Sequence, residues 1–228
     1  MLAVDGTTLL CAQGSRAFFM APKARAPKTP EEALSRALAK TLRHAAKSQG
    51  IPQDNEGWCE ISDLLKHQPY INLKATPDNI ENVVVADKKG RYEFNEDKSK
   101  IRAVQGHSVN VDVGLTALEE SQLPEIIVHG TYLDIWPTIR NEGLNRMKRQ
   151  HIHLAQNLPS SIKSDTRQIS GMRSSSQVYI FIDGPKAMRA GIQFFMASNG
   201  AILSSGIDGV IKPDFFLKAT NNKLELLD

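Results

Sequence analysis

The hydrophobic positions change period about halfway along the chain. Leu34, Ala37, Leu38, Thr41, Leu42 and Ala45 recur at helical spacing, predicting a helix that opens at Thr29, Pro30 and Glu32 (N-cap, N1 and N3 of a capping box) and ends at Gly50. A short apolar piece at Trp58 to Ile61 precedes a second helix opened by Ser62 and carrying Leu64 and Leu65. A third helix opens at Thr76 and Pro77 and runs through Ile80, Val83 and Val84. The runs RYEFN (91 to 95) and KIRAVQ (100 to 105), separated by EDKS, predict a hairpin. Beyond EESQLPE the pattern shortens to strand-length runs: EIIVHGT (125 to 131), HIHLA (151 to 155), QVYIFID (177 to 183), GAILSSG (200 to 206) and DGVIKP (208 to 213). One helix is predicted among them, from about Tyr132 to Glu142, with Gly143 as its cap.

Three helices closed by a hairpin describe a winged helix, a fold that serves nucleic-acid binding and protein interaction alike. The second half reads as a mostly antiparallel, strand-rich α+β lobe. The expected organisation is a tail over 1–29, a winged-helix lobe over 30–115 and a β-rich lobe over 122–228. Within the tail, APKARAPKTP has prolines at 22, 27 and 30 and reads as a linker. The absence of acidic residues from Gly6 to Pro30, with Arg16, Lys23, Arg25 and Lys28 present, has some transit-peptide character, but a disordered tail is the preferred reading.

Composition adds limits. A net charge of +3 permits a nucleic-acid partner without demanding one. Cys11 and Cys59 are the only cysteines and are far apart in sequence, which excludes a disulfide framework or a CxxC metal clip and points to a reducing compartment. No run reaches the roughly 18 apolar residues of a membrane span, so a cytoplasmic or nuclear location is expected. No GxGxxG or GxxxxGK loop occurs, which argues against a Rossmann or P-loop site.

The chemistry-bearing residues are scattered. In RQHIHLA (149 to 155), strand alternation puts Arg149, His151 and His153 on one face and Ile152 and Leu154 on the other. A metal site would need further ligands that the sequence does not supply, and none is expected. A half-exposed polar strand face and one wall of an anion pocket both remain open. Arg43 and His44 lie about 100° apart on the first helix, flanking its apolar stripe; basic residues in a last turn also serve the helix dipole alone. Arg102 sits between apolar neighbours on a strand that ends in Gly106, His107 and Ser108. VHGT ends an apolar strand on a histidine and a glycine that lets a ligand approach the backbone. ISGMRSS (169 to 175) is a polar loop.

Taken in order, SRALAKTLRH, IRAVQGHS, VHGT, GLNRMKRQHIHLA, ISGMRS, VYIFIDG and SNGAILSSGIDGVIKPDFF resemble the RNA 2′-phosphotransferases, which remove the splice-junction 2′-phosphate from tRNA using NAD. The resemblance spans residue 35 to about 217. It implies an amino-terminal winged-helix lobe, a carboxy-terminal ADP-ribosyltransferase-like lobe and a site between them, with NAD and an RNA bearing an internal 2′-phosphate as partners to a monomer.

By that resemblance Arg43, His44, Arg102 and Arg149 form the catalytic set. His129, Gly130, Thr131, His153, Arg173 and Ser174 would face NAD: His129 the nicotinamide-side ribose, Gly130 the carboxamide through its backbone, Arg173 and Ser174 the phosphate or adenosine side. The implied reaction has two steps. The RNA 2′-phosphate attacks the nicotinamide-bearing ribose carbon and displaces nicotinamide; the ribose 2″-hydroxyl then attacks the phosphorus, releasing ADP-ribose 1″,2″-cyclic phosphate and an RNA 2′-hydroxyl. Protein-modifying relatives of that fold use a glutamate where DGVIKP presents Val210 and Ile211, which ranks protein modification lower. Two rivals remain: a one-step ADP-ribosylation of terminal phosphates, and an RNA-binding protein whose second lobe only senses NAD.

Overall fold

The computed structural model describes residues 26–27, 29–159 and 169–228. Apart from residues 26, 27 and 29, the tail expected over 1–29 lies outside them. The fold is mixed helix and sheet, and its strands pair antiparallel throughout the described residues.

Helix α1 spans Pro30–Lys40, its first turn held by Thr29 Oγ1 accepting from the Glu32 amide at 3.2 Å. It does not continue as an α-helix to Gly50. Thr41–Ala45 widens into a turn of π-helix, with the Ala46 amide donating to the Thr41 carbonyl at 2.9 Å, before a 3₁₀ turn Lys47–Gln49 reaches Gly50. Strand β1 (Cys59–Glu60) leads into α2 (Ile61–Leu64). That helix starts at Glu60, not at Ser62 as the side-chain pattern predicts, because the Ile61 amide already finds the Ser99 carbonyl of the hairpin at 2.9 Å. Helix α3 (Pro77–Val85) opens at Thr76 and Pro77 as expected, and Asn79 completes a capping box that the sequence reading did not anticipate, Thr76 and Asn79 each receiving the other's amide. Strands β2 (Tyr92–Phe94) and β3 (Lys100–Ala103) form the hairpin, and β1 adds to give the order β1-β3-β2. Leu34, Leu38, Leu42, Leu64, Tyr70, Ile80 and Ile101 close one core. Cys59 is buried in it, and burial pushes its thiol up to about 12, which leaves it protonated and inert.

The second core lies in the carboxy-terminal half. Strand β5 (Val128–Thr131), β8 (Val178–Ile182) and β12 (Phe216–Asn221) form a sheet with β8 at its centre. All five residues of β8 are buried, as a central strand's unbroken apolar run requires. A second sheet has the order β4-β9-β10-β7, made of Thr116–Ala117, Phe195–Met196, Ile202–Ser204 and Ile152–Leu154. Strand β6 (Leu144–Asn145) pairs with β11 (Val210–Ile211). Helix α4 is shorter than expected, Trp136–Glu142, because Tyr132 to Ile135 form a turn of their own. Helix α5 (Gly184–Arg189) and strands β4, β6, β9 and β12 carry too few alternating apolar residues to be read in advance.

Polar bonds join the two cores. Lys89 Nζ donates to the Met172 carbonyl at 3.0 Å, Ser170 Oγ to the Lys89 carbonyl at 3.1 Å, and Asn199 Nδ2 to the carbonyls of Lys89 and Gly90. The strap from Gln105 to Leu115 crosses between them: the Ser108 amide donates to the Arg43 carbonyl at 3.0 Å, and the Gln150 amide to the His107 carbonyl at 3.0 Å. His107 is only 2% exposed at this crossing. Burial, then the charges of Arg43, His44 and Arg102, pushes its imidazole down to about 4.

This carries a pH consequence. Unfolding returns His107 to its ordinary 6.5, so on acidification the unfolded chain takes up the proton first and stability drops as pH falls from about 6.5 towards about 4. Chemical denaturation at about pH 7 and about pH 5 is expected to show a loss near 2 kcal/mol from His107 alone, at ~1.36 kcal/mol per pH step below its unfolded value. His107→Gln is expected to lose less over the same interval; an unchanged slope would assign the acid sensitivity to other groups.

Candidate active site

The π turn is where the site begins. Adding a residue to one turn rotates Arg43 and His44 away from the buried line of Leu34, Leu38 and Leu42 while Ala45 and Ala46 stay in the core. The Arg43 guanidinium lies against Gly106, whose φ of +91° turns the strap sharply; a β-carbon there would stand 3.4 Å from Arg43 Nε. Arg43 Nε is buried and has no partner among the described residues. His44 is turned by the strap: its Nδ1 is 3.0 Å from Ser108 Oγ, two residues beyond that glycine.

Strand β7 supplies the opposite wall, but it is shorter than expected. Ile152 and Leu154 are buried in the core with His153 on the other face, while Arg149 and His151 lie in the bend that precedes the strand, so they are not placed by its alternation. Arg149 Nη1 approaches His153 Nδ1 at 3.4 Å, a geometry in which the neutral imidazole accepts from the guanidinium. His129, on β5, donates from Nδ1 to the His153 carbonyl at 2.9 Å, so its other nitrogen is the free acceptor when the ring is neutral.

Electrostatics follow from this crowding. Burial first, and then neighbouring guanidinium charge, lowers the pKa of His44 and His129 and brings His153 well below its ordinary value. Arg149 acts on all three, Arg43 on His44 and His153, and Arg173 on His129. Arg43 is itself lowered by burial and by Arg149. Neither Arg43 nor Arg149 has a carboxylate partner among the described residues. Two half-buried guanidiniums facing neutral imidazoles form a place where an anion would relieve repulsion.

Arg102 stands differently. Its guanidinium stacks on Trp58 at 4.3 Å, its Nε is 2.5 Å from Glu93 Oε1, and its Nη1 donates to the Glu56 carbonyl at 3.1 Å. It reaches the cluster only through its effect on His107.

Gly130 sits at the end of β5 with no room for a side chain. A β-carbon there would come 2.4 Å from Met172 Cγ and 2.5 Å from Ser176 Oγ, so the loop from Ile169 to Ser176 is seated on the bare backbone. Val128 pairs with Ala155 on the edge of β5 away from β8, and alternation puts the Gly130 amide and carbonyl on that same edge. There they have no backbone partner among the described residues. Thr131 is buried, and its carbonyl takes the Gln177 amide at 2.8 Å. In the loop, Arg173 lies over the Tyr132 ring at 5.9 Å, and the Tyr132 hydroxyl is 3.0 Å from Ser175 Oγ. Ser174 is exposed beside them.

A profile of the RNA 2′-phosphotransferase, Tpt1 / KptA family matches residues 29–206. The chain belongs to this family. It is 39% identical over 198 residues to "tRNA 2'-phosphotransferase 1" of Danio rerio, covering 83% of this chain and 85% of that protein. It is similar also to "tRNA 2'-phosphotransferase 1" of Homo sapiens, 40% over 206 residues and 86% and 79% of the two chains. A bacterial relative, "Probable RNA 2'-phosphotransferase" of Flavobacterium johnsoniae, is 30% identical over 180 residues, 77% and 92% of the two chains.

The structure thus gathers Arg43, His44, Arg149, His153, His129 and Arg173 into one electrostatic neighbourhood, and leaves Arg102 on its own carboxylates. Two members of the neighbourhood escape the sequence reading, Tyr132 and Ser108. Tyr132 follows VHGT directly and Ser108 closes IRAVQGHS, but only the folded chain shows which arginine or histidine each one meets.

An anion-binding test follows. Inorganic phosphate is expected to raise the melting temperature, by about 3 °C for each kcal/mol of binding in a chain of this size. Arg149→Gln removes one of two like charges, so in phosphate-free buffer it is expected to melt no lower than the parent while losing most of the phosphate effect. Equal phosphate shifts in both proteins would place the anion elsewhere.

Proposed function

We propose that this chain is an NAD-dependent tRNA 2′-phosphotransferase that removes an internal 2′-phosphate from RNA in two steps. The observation that carries the reading is the pair of carboxylate-free guanidiniums, Arg43 and Arg149, held by the fold beside histidines kept neutral. Such a pair binds a phosphate dianion by parallel charge-assisted hydrogen bonds. His44 and Arg102 complete the proposed set, Arg102 by exchanging Glu93 for the substrate phosphate.

The residues present fit NAD. The unpaired amide and carbonyl of Gly130 match the two hydrogen-bonding groups of a carboxamide, and the neutral His129 lies one residue away with an acceptor nitrogen to offer a ribose hydroxyl. Thr131 holds that strand end, His153 backs the wall, and Arg173 with Ser174 would hold the phosphate or adenosine side. Bound NAD supplies an electrophilic ribose carbon whose leaving group departs neutral. The first step therefore asks the protein for positioning and charge stabilisation, not for a proton. Arg43, Arg149 and Arg102 would steady the charge that develops on the phosphoryl oxygens in the second. Each such bond is worth roughly 1.5–3 kcal/mol, about one to two decades of rate if it forms only in the transition state.

The lobe assignment belongs to the same proposal. Helices α1, α2 and α3 with the β1-β3-β2 sheet support a winged-helix, RNA-binding reading of 30–115. The antiparallel sheets β12-β8-β5, β4-β9-β10-β7 and β11-β6 support an ADP-ribosyltransferase-like reading of 122–228.

A short RNA with one internal 2′-phosphate, incubated with and without NAD and resolved by mass, tests the reading. Loss of the phosphate only with NAD, together with ADP-ribose cyclic phosphate, is the expected result. Accumulation of ADP-ribosylated RNA would indicate a one-step transferase, and NAD binding without turnover a sensor. Arg149→Ala and Arg102→Ala are each expected to reduce turnover by about two decades or more while melting near the parent; near-normal turnover by either removes that residue from the mechanism.

A further inference from the structure

Beside the basic cluster, and lined by none of the residues proposed to hold NAD, is a cavity of ≈ 320 Å³. It opens between the strap and the second sheet. Val111, Phe195 and Leu203 give it apolar walls, Asn110 and Gln150 give it carboxamides, and His151 stands tilted to Phe195 with ring centroids 5.8 Å apart. Gly106 is part of its lining, and Gly106 is also the residue that lies directly on the Arg43 guanidinium. One backbone position therefore separates the cavity from the proposed phosphate site.

The walls define what fits. The Phe195 ring with the His107 and His151 imidazoles, aliphatic surface and amide groups, with the Asp112 carboxylate and no lysine or arginine in the lining, suit a flat, uncharged heteroaromatic ring whose edge offers hydrogen-bond donors. The volume lies in the range of small-ligand pockets. Gln150 is fixed for such a role, because its Nε2 already donates to Asn110 Oδ1 at 3.1 Å and to the Val111 carbonyl at 3.2 Å, leaving its carbonyl oxygen uncommitted to either. Position selects the ring. In a 2′-phosphorylated nucleotide the phosphate and the base are attached to adjacent ribose carbons, so a phosphate held by Arg43 brings its own base to the far side of Gly106.

We propose that this cavity receives the nucleobase of the nucleotide that carries the 2′-phosphate, so that the enzyme recognises a base and a phosphate together. The inference rests on the RNA reading of the basic cluster, and it extends that reading to a part of the molecule not otherwise used.

The test is binding, with turnover followed in parallel. Two short RNAs, each with one internal 2′-phosphate, differ only in whether the phosphorylated nucleotide keeps its base or is abasic. The base-bearing RNA is expected to bind about tenfold more tightly, the size of one stacking contact. Asn110→Trp, a change at an exposed rim position, is expected to weaken the base-bearing RNA and leave the abasic RNA's affinity as it was. Equal affinities for the two RNAs on the parent protein overturn the proposal. So does failure of either RNA to bind, or an Asn110→Trp variant that weakens both RNAs alike or neither. Base-dependent binding without NAD-dependent phosphate loss would sustain the cavity and defeat the phosphotransfer reading; phosphate loss with equal affinities would do the reverse.

Discussion

Much of this structure is organised around two guanidiniums that repel each other. Arg43 and Arg149 lie in different halves of the sequence and beside different cores, and each lowers the charged stability of its neighbours. Left to themselves, such side chains would swing into water. They stay because the backbone beneath them is held from both sides: a π turn packed through Ala45 and Ala46, a strand packed through Ile152 and Leu154, and a strap whose amide and carbonyl groups tie to both. The hydrophobic burial of two separate cores thus holds a polar arrangement that is unfavourable by itself.

The strap has a second part in this. His107 is enclosed at the point where the halves meet, surrounded by Arg43, His44 and Arg102, and it remains neutral because charging it there would add one more cation to an already cationic place. The same reasoning covers His44, His129 and His153. A set of neutral imidazoles among fixed cations can donate or accept hydrogen bonds without raising the repulsion, which is why this family member mixes the two residue types.

Where the chain's own pattern is strong, structure was legible in advance. The buried faces of α1 and α3, the opening of α3 at Thr76 and Pro77, the hairpin, the all-apolar β8 and the alternation of Ile152, His153 and Leu154 follow from local periodicity and capping chemistry. The π turn was not legible, since Thr41 to Ala45 has the composition of ordinary helix and widens only in its tertiary setting. Helix α2 began early because a distant carbonyl, that of Ser99, satisfied its first amide. Short strands such as β6 and β9 lack enough residues for any period. Family resemblance supplied the candidate residues, of which the fold brings Arg43, His44, Arg149, His153, His129 and Arg173 close and leaves Arg102 apart; the Tyr132–Arg173 contact, the Ser108–His44 contact and the pairing of Arg102 with Glu93 depend on side chains that meet across 41, 64 and 9 positions respectively.

That last pairing sets a threshold. Arg102 rests on Trp58 between the carboxylates of Glu93 and Glu56, so an arriving anion does not meet a bare cation but one already engaged. What counts is the difference between two partners of like charge. A singly charged anion offers little more than Glu93 does, whereas a phosphate dianion brings extra charge and extra acceptor oxygens. If Arg102 serves the proposed phosphate site, such a resident competitor would make that site discriminate through exchange, with weak anions turned away by a group the protein itself carries.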